Sequence, residues 1–353
     1  MNSSPLRSAC AAVPFAIPLS LLCFLASCAG HQQSALDPAG PQAGKIATLW
    51  WIFFYVLAAI FLTVMAVLLW TLTRGHQSVE GTEPLDPHHL PAEKTESKLK
   101  RMVTAATALT VLLLFALLIA SVTTGKATAD LGKNGNLLTI EVTGNQWWWQ
   151  FRYLSDDPSQ TLTTANEIHI PVGRTVLIKG MSNDVIHSFW VPNLHGKRDL
   201  IPSRVTTEYI QADKPGIYRG QCAEFCGLQH AHMSFWVIAE PETQFHAWMQ
   251  SQLQPASAPA DPVLQHGQQS FGNYECVFCH QIRGTTAAAQ NGPDLTHFGS
   301  RRKLAAGTLP NTPGNLAGWI VNPQSIKPGN HMATIAVNPE DLQPLIQYLE
   351  SLK

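Results

Sequence analysis

Long apolar runs dominate the first third of the chain. Residues 46–73 contain no Asp, Glu, Lys or Arg, and the same is true of residues 102–125. Each run exceeds the roughly 20 residues with which a helix crosses the hydrocarbon core of a bilayer. Trp50 and Trp70 lie towards the ends of the first run, where aromatic rings favour the membrane interface. The pattern predicts a hairpin of two transmembrane helices within an N-terminal segment of residues 28–129.

A shorter apolar run at residues 13–27 precedes these helices. It is too short to span a bilayer, but it has the length of a signal-peptide core. The run leads into the sequence LASCAG, which resembles a bacterial lipoprotein cleavage box in which Cys28 would be acylated. We therefore expect residues 1–27 to be a lipoprotein-type signal peptide. An ordinary secretory cleavage site and an uncleaved anchor are the alternatives.

The charges that flank the helices predict their orientation. The connector at residues 74–101 carries five Lys or Arg residues, whereas residues 28–45 carry one. Short loops rich in positive charge stay in the cytoplasm. We therefore expect a multi-pass protein of the bacterial inner (cell) membrane, in which the long region after residue 125 lies on the periplasmic, outer face.

Polar and apolar positions alternate in the region that follows. Leu138, Ile140 and Val142 are separated by polar residues, and Ile168 and Ile170 repeat the pattern. Period-2 runs separated by Gly, Pro and Asn turns are typical of strands. Residues 130–250 are therefore predicted to form an all-β, antiparallel sandwich or barrel.

The pattern changes again near the C-terminus. Residues 251–262 (SQLQPASAPADP) show no hydrophobic period, and this composition predicts an extended linker. Beyond it, Leu345 and Leu349 recur one helical turn apart, and Asn338 is a plausible N-cap for their helix. Residues 263–353 are therefore predicted to form an all-α module.

The composition limits the class of partner. The formal net charge is −1, which argues against a nucleic-acid partner because phosphate binding needs a basic surface. Charged residues make up only 13% of the chain, about half of the usual share, as a membrane protein requires.

Four cysteines lie outside the signal segment and its cleavage box, in two pairs. Disulfide bonds are the ordinary use of cysteine in an exported protein, but each pair here has metal-ligating neighbours. Cys276 and Cys279 belong to the sequence CVFCH, the attachment signature of c-type haem. The two thiols would bind the haem vinyl groups and His280 would ligate the iron. A redox-active CxxC pair is the alternative.

The sixth ligand of such an iron is a Met or His well downstream of the motif. Met332 is the only Met after Met249, which makes it the favoured ligand, and its neighbour His331 competes with it.

The module around this motif resembles a class I cytochrome c. Besides CVFCH, the resemblance rests on Gly267 and Phe271, on the sequence GPDL at 292–295, and on PGNHM at 328–332. It implies that the carbonyl of Pro293 accepts a hydrogen bond from the haem-ligating imidazole. It also implies that Gly267 and Phe271 lie where the first and last helices of the module cross.

The other pair stands in a second cluster of metal-ligating side chains. Cys222 and Cys226 are followed by His230 and Met233, and His187 lies upstream. Two thiols, two imidazoles and a thioether make a soft ligand set that suits copper. Zinc would leave the Met unused, and a mononuclear blue-copper site would leave one Cys unused. Two bridging thiolates with one His per metal fit a dinuclear copper centre better.

Residues 46–250 thus resemble subunit II of haem–copper cytochrome c oxidase, with a two-helix hairpin followed by a cupredoxin sandwich that carries the dinuclear copper centre CuA. The resemblance implies side-chain ligation by the five residues just named and a backbone ligand from Glu224, whose carboxylate would help to hold magnesium against subunit I. Residues 146–149 (QWWW) match the aromatic run before the sandwich, so Trp147 stands where electrons enter, and we expect its ring to be exposed over the copper site. Asn145 replaces the usual His, at a position that binds no metal.

The whole chain resembles subunit II of a caa3-type oxidase. Electrons would pass from an external donor such as cytochrome c, through the covalent haem and the copper pair, to the oxygen-reducing subunit I, with subunit III as a further partner. Two alternatives stay open: subunit II of a CuA-containing nitric oxide reductase, and a membrane-anchored copper or electron carrier. Trp148 and Trp149 are expected to pack the sandwich against the membrane.

Overall fold

A computed structural model of the protein describes residues 33–74, 93–130 and 137–353. Two long helices come first, α1 (Pro41–Thr73) and α2 (Glu93–Asp130). Both are apolar and long enough to cross a membrane, and no other described residue covers their most apolar windows. Each extends beyond the apolar run that predicted it, because polar residues at the ends continue the helix. The signal segment, Cys28 and residues 75–92 of the connector lie outside the described residues.

The strands of the central domain form a two-layer sandwich. In chain order they are β1 (Leu138–Asn145), β2 (Trp148–Tyr153), β3 (Leu162–Ala165), β4 (Glu167–Pro171), β5 (Val176–Ser182), β6 (His187–Trp190), β7 (Lys197–Leu200), β8 (Thr206–Ile210), β9 (Gly216–Cys222) and β10 (Ser234–Glu240). One sheet has the order β3-β2-β1-β5-β8 and the other the order β4-β10-β9-β6-β7.

The sheets are mixed, so the antiparallel expectation is only partly right. Strand β1 pairs with β5 in parallel, and β4 pairs with β10 in parallel, while the other strand pairs are antiparallel. The alternation of apolar residues reports which face of a strand is buried and says nothing about strand direction. The sandwich itself could therefore be predicted, whereas the direction of these strand pairs could not.

Aromatic rings fill the space between the sheets. Trp149 is fully buried, with ring-centroid distances of 5.1 Å to Phe235 and 6.3 Å to Phe189. The expectation that Trp149 packs against the membrane is therefore wrong: its side chain belongs to the sandwich core. Trp148 instead lines a cavity described below.

The start of α1 is seated on the sandwich. The amide of Ala43 donates to the carbonyl of Leu194 (3.1 Å), and the amide of Asp213 donates to the carbonyl of Ala39 (2.7 Å). A Cβ at Gly40 would come within 2.0 Å of the Gln211 oxygen, so the close approach requires glycine. The first helix and the outer domain are thereby held together.

Helix α3 (Glu242–Leu253) follows the sandwich and includes the first residues of the predicted linker. The C-terminal domain then contains α4 (Pro262–Asn273), α5 (Pro313–Val321), the short α6 (Pro323–Ile326) and α7 (Pro339–Ser351). A two-stranded pair, β11 (Lys303–Leu304) and β12 (Leu309–Pro310), lies between α4 and α5.

The first and last helices of this domain cross closely. A Cβ at Gly267 would stand 2.1 Å from the backbone oxygen of Pro344, and the rings of Phe271 and Tyr348 lie 6.5 Å apart. The residues thus lie at the crossing that the cytochrome c resemblance implies. Asn338 occupies the N-cap position of α7, and Pro344 is accommodated inside that helix.

Candidate functional site

The candidate copper ligands come together at one end of the sandwich. His187 begins β6 and Cys222 ends β9, and these strands are neighbours in one sheet. The loop that connects β9 to β10 folds over this end and brings Cys226, His230 and Met233 to the same place. Strand pairing therefore joins residues that are 35 positions apart in the sequence.

The two thiols occupy the middle of this cluster. Their Sγ atoms are 3.7 Å apart, much farther than the roughly 2.05 Å of a disulfide bond, and both cysteines are free and buried. Each sulfur has its own imidazole: His187 Nδ1 lies 3.9 Å from Cys222 Sγ, and His230 Nδ1 lies 3.6 Å from Cys226 Sγ. The Met233 sulfur lies 3.8 Å from Cys226 Sγ. This soft donor set fits a dinuclear copper centre with shared thiolates.

Hydrogen bonds orient the cluster. Asp184 Oδ1 lies 2.7 Å from His187 Nε2, which turns the Nδ1 atom towards the sulfurs. Burial opposes ionisation of Asp184, but hydrogen bonds from His187 and from the amide of Gln146 hold the pKa of its carboxyl below the usual value. The hydrogen bond shared with Cys226 lowers the pKa of Cys222 and raises that of Cys226. One proton therefore leaves the thiol pair readily, which prepares a thiolate ligand.

Glu224 presents its two oxygen-bearing groups in different directions. Its backbone oxygen lies 3.2 Å from Cys222 Sγ, at the candidate copper centre. Its carboxylate is partly exposed and accepts a hydrogen bond from Lys197 Nζ at 3.0 Å. A backbone ligand and an outward carboxylate are thus available from one residue.

A cavity of about 420 Å³ lies between the sandwich and the C-terminal domain. Cys276, Cys279, His280 and Met332 line it, together with His331. The Nδ1 atom of His280 lies 2.8 Å from the Pro293 carbonyl, so its N–H is held there and Nε2 is left for iron. Burial lowers the pKa of His280, which favours the neutral, ligating imidazole. The free thiols, the oriented imidazole and the cavity together fit a covalently attached haem.

Trp147 lies between the two candidate centres. Its indole Nε1 donates to the backbone oxygen of Cys226 at 3.0 Å, and Gln146 Nε2 donates to the same oxygen at 2.8 Å. The ring also forms part of the cavity wall and lies 6.3 Å from the ring of His331. The sequence predicted an exposed ring over the copper site, and for the exposure that prediction is wrong. The ring is only 7% exposed because the C-terminal domain covers it.

Three further basic residues that no motif pointed to line the cavity, Arg301, Lys303 and Lys327. Arg301 is partly buried, and this burial lowers the pKa of its guanidinium. Lys327 is 2% exposed, and burial lowers the pKa of its ammonium to about 7. A single Lys before a Pro-Gly turn gives no chemical signal in a sequence, so only the fold reveals its position.

Two family models match the chain: cytochrome c oxidase subunit II, periplasmic domain, over residues 153–240, and cytochrome c, over residues 264–353. Cytochrome c oxidase subunit 2 of Alkalihalophilus pseudofirmus is 35% identical over 96% of this chain and 96% of its own length. The chain belongs to the cytochrome c oxidase subunit 2 family.

Other members and a solved domain also match. Cytochrome c oxidase subunit 2 of Bacillus sp. strain PS3 is 34% identical over 65% of this chain and 66% of its own length. The periplasmic domain of cytochrome oxidase subunit II from Bradyrhizobium japonicum is 29% identical, with a TM-score of 0.31, and the match covers 33% of this chain and 92% of that one.

The chain is therefore subunit II of a haem–copper oxidase with a fused cytochrome c domain, the caa3-type arrangement. It carries copper and haem c, it is anchored in a membrane with a periplasmic domain, and its partners are subunit I and a cytochrome c-type donor. The nitric oxide reductase and carrier alternatives are not favoured.

Proposed function

We propose that Trp147 carries electrons between a c haem and a dinuclear copper centre, both held by this chain. Cys276 and Cys279 would attach the haem, and His280 and Met332 would ligate its iron. The copper pair would be held by the side chains of His187, Cys222, Cys226, His230 and Met233 and by the carbonyl of Glu224. When bound, both groups supply one-electron transfer without bond chemistry in this chain.

The position of Trp147 carries this proposal. Its ring forms part of the wall of the haem cavity, and its N–H is bonded to the carbonyl of a copper-ligand residue. Because this one buried ring borders both sites, it excludes water from the space between the haem and the copper pair. It would leave a short, apolar connection between them. Trp148 lines the same cavity but has no described bond to Cys226, so it provides a matched control.

Trp147→Gln tests the route. In the assembled oxidase, we expect the variant to slow haem-to-copper transfer roughly tenfold or more, which corresponds to about 1.4 kcal/mol of activation free energy. Time-resolved reduction measures this rate, and copper content, haem content and the copper spectrum should be unchanged. Trp148→Gln should have a much smaller effect. Equal rates in Trp147→Gln and wild type would remove Trp147 from the route.

The finer assignments belong to the same proposal. The domains would be 28–129, 130–250 and 263–353, joined by the linker at 251–262. Cys28 would be acylated after cleavage of residues 1–27, and the protein would lie in the bacterial inner membrane with subunit III as a further partner. Magnesium at the Glu224 carboxylate would have to replace the ammonium of Lys197, which now occupies that position.

A further inference from the structure

Lys327 is a buried lysine at the boundary between the two metal-binding domains. Its Nζ atom donates to the carbonyls of Trp147 and His232, both at 2.7 Å, and to the carbonyl of Ala305 at 3.1 Å. Three carbonyl acceptors match the three N–H bonds of an ammonium, whereas a neutral amine would have only two. In the described part of the chain, no carboxylate lies within ion-pair distance of this nitrogen. The three carbonyls are thus its bonding partners, and two of them belong to the copper domain.

The loop that supplies the third carbonyl has an unusual backbone. Ala305, Ala306 and Gly307 have φ angles of 53°, 55° and 81°, a left-handed run that alanine rarely adopts. In this conformation the Ala305 carbonyl accepts from Lys327, and the Ala306 carbonyl accepts from the amide of Ser234 at 3.0 Å. We call residues 305–307 the docking loop. Strained backbone of this kind persists where surrounding contacts hold it.

Two more contacts surround this point. Gln229 Nε2 donates to the carbonyl of Pro328, next to Lys327, at 2.7 Å. A Cβ at Gly307 would come within 2.0 Å of Ser234 Oγ, so the loop meets the copper domain at close range. The docking loop and Lys327 therefore bind the copper domain from adjacent positions.

Two of the carbonyls that Lys327 binds belong to segments that border the proposed copper centre. Trp147 is the proposed electron carrier, and His232 stands between His230 and Met233 in the loop of copper ligands. Lys327 itself lines the haem cavity. One ammonium thus joins the backbone at Trp147, the loop of copper ligands and the docking loop.

We propose that Lys327 is a positioning residue that locks the haem-binding domain onto the copper domain, in the orientation in which the haem cavity opens on Trp147. This inference rests on the proposed electron route through Trp147. Removing the ammonium leaves three carbonyls without their donor at a buried boundary, which favours separation of the two domains. Electron transfer from haem to copper then takes place while the haem domain is held in one position on the copper domain, without movement of the haem domain.

Lys327→Met tests the lock in the assembled oxidase. We expect haem-to-copper transfer to slow about tenfold or more, because hydrogen bonds to charged groups are among the stronger ones. Hydrogen exchange should rise in the docking loop and around Trp147, while haem and copper contents stay unchanged. Lys327→Arg keeps the charge and several donors, so it should restore part of the rate. Lys353→Met, at an exposed lysine of the same domain that does not line the cavity, should change neither measurement.

Gly307→Ala provides a second variant that leaves Lys327 in place. Its new Cβ would meet Ser234 Oγ, so exchange in the docking loop should rise in the same way. The proposal for Lys327 is wrong if Lys327→Met leaves haem-to-copper electron transfer unchanged, whether or not hydrogen exchange rises. If Lys327→Met slows transfer and raises exchange while Trp147→Gln has no effect, the lock stands and the route through Trp147 fails.

Discussion

At the scale of single residues, the proposed copper centre depends on two sulfur atoms held close together without a bond. Cys222 and Cys226 are fixed by different parts of the fold, the end of β9 and the loop that follows it. His187 approaches one sulfur and His230 the other. Since each sulfur has its own imidazole neighbour, we expect both cysteines to be needed for copper binding.

We expect Cys226→Ser to abolish copper binding, with both ions lost. A hydroxyl is a harder ligand than a thiolate and scarcely ionises, so it cannot bridge two soft metal ions. Metal analysis of the purified oxidase, normalised to covalent haem, measures the effect. Ser188→Ala, at a buried neighbour of His187, is the control and should retain copper. A Cys226→Ser protein with unchanged copper content would contradict the dinuclear assignment.

The iron ligand on the far side of the haem is a second prediction at this scale. Met332 and His331 both line the cavity, and the amide of Met332 is held by Asn330 Oδ1 at 2.7 Å. Met332→Ala should abolish the long-wavelength Met–Fe(III) absorption band and lower the haem potential, because thioether ligation raises it. The haem should stay covalently attached. His331→Ala should keep the band, and the reverse result would make His331 the ligand.

At the scale of elements, β8 carries a carboxyl group in an unfavourable position. Glu208 points into the protein with 3% exposure, and His195 Nδ1 lies 3.1 Å from its Oε1 atom. His195 Nδ1 also accepts from the amide of Gly196, so the ring carries no proton there. Burial raises the pKa of Glu208 to about 8, and the strand is therefore built around a neutral carboxyl at pH 7.

This carboxyl makes stability depend on pH. In an unfolded chain, glutamate titrates near pH ~4.3, so between that pH and about 8 the folded protein holds the extra proton. Stability should fall as pH rises through this window. Glu208→Gln should remove that decline. Above pH ~8, the free energy of unfolding of the variant should exceed that of the wild type by up to about 5 kcal/mol. The difference in Tm between variant and wild type should grow with pH. Thr207→Ala, at an exposed position of the same strand, changes no titratable group and should show a constant difference.

The elements also show how far the sequence could predict the fold. Charge-free runs predicted α1 and α2, and alternating residues predicted the sandwich, because both patterns report burial directly. The parallel pairing of β1 with β5 could not be predicted, since it depends on contacts between distant segments. Ligand spacing likewise predicted the groups around Cys222 and Cys276. The interface at Lys327 could not be predicted, because its partners are backbone carbonyls, which every residue has.

At the scale of the whole molecule, the most apolar parts of the two long helices are exposed. Their most apolar windows are not buried within the described chain, so lipid or a partner subunit must cover them. The seat of α1 on the sandwich fixes the outer domains next to one membrane surface. We therefore expect the connector between the helices on the opposite side of the membrane.

Protease added to intact spheroplasts tests this topology. It should remove the C-terminal haem domain and leave residues 74–101 uncut, because the positive connector stays in the cytoplasm. Permeabilised cells provide the control, since the Lys and Arg residues at 94–101 should then be cleaved. Cleavage of that stretch from outside in intact spheroplasts would reverse the assigned orientation.

The segment between α3 and α4 has a consequence for the kinetics of respiration. It is held on the haem domain, where Arg283 binds the carbonyl of Leu253 and the amide of Ala256 donates to the Arg283 carbonyl. Because one polypeptide carries both centres, their stoichiometry is set during translation. Exchange between them is then a first-order event, indifferent to dilution and little affected by ionic strength. The concentration of the soluble donor governs only how often the haem is reduced. A low donor concentration therefore limits the supply of electrons without slowing the transfer from haem to copper.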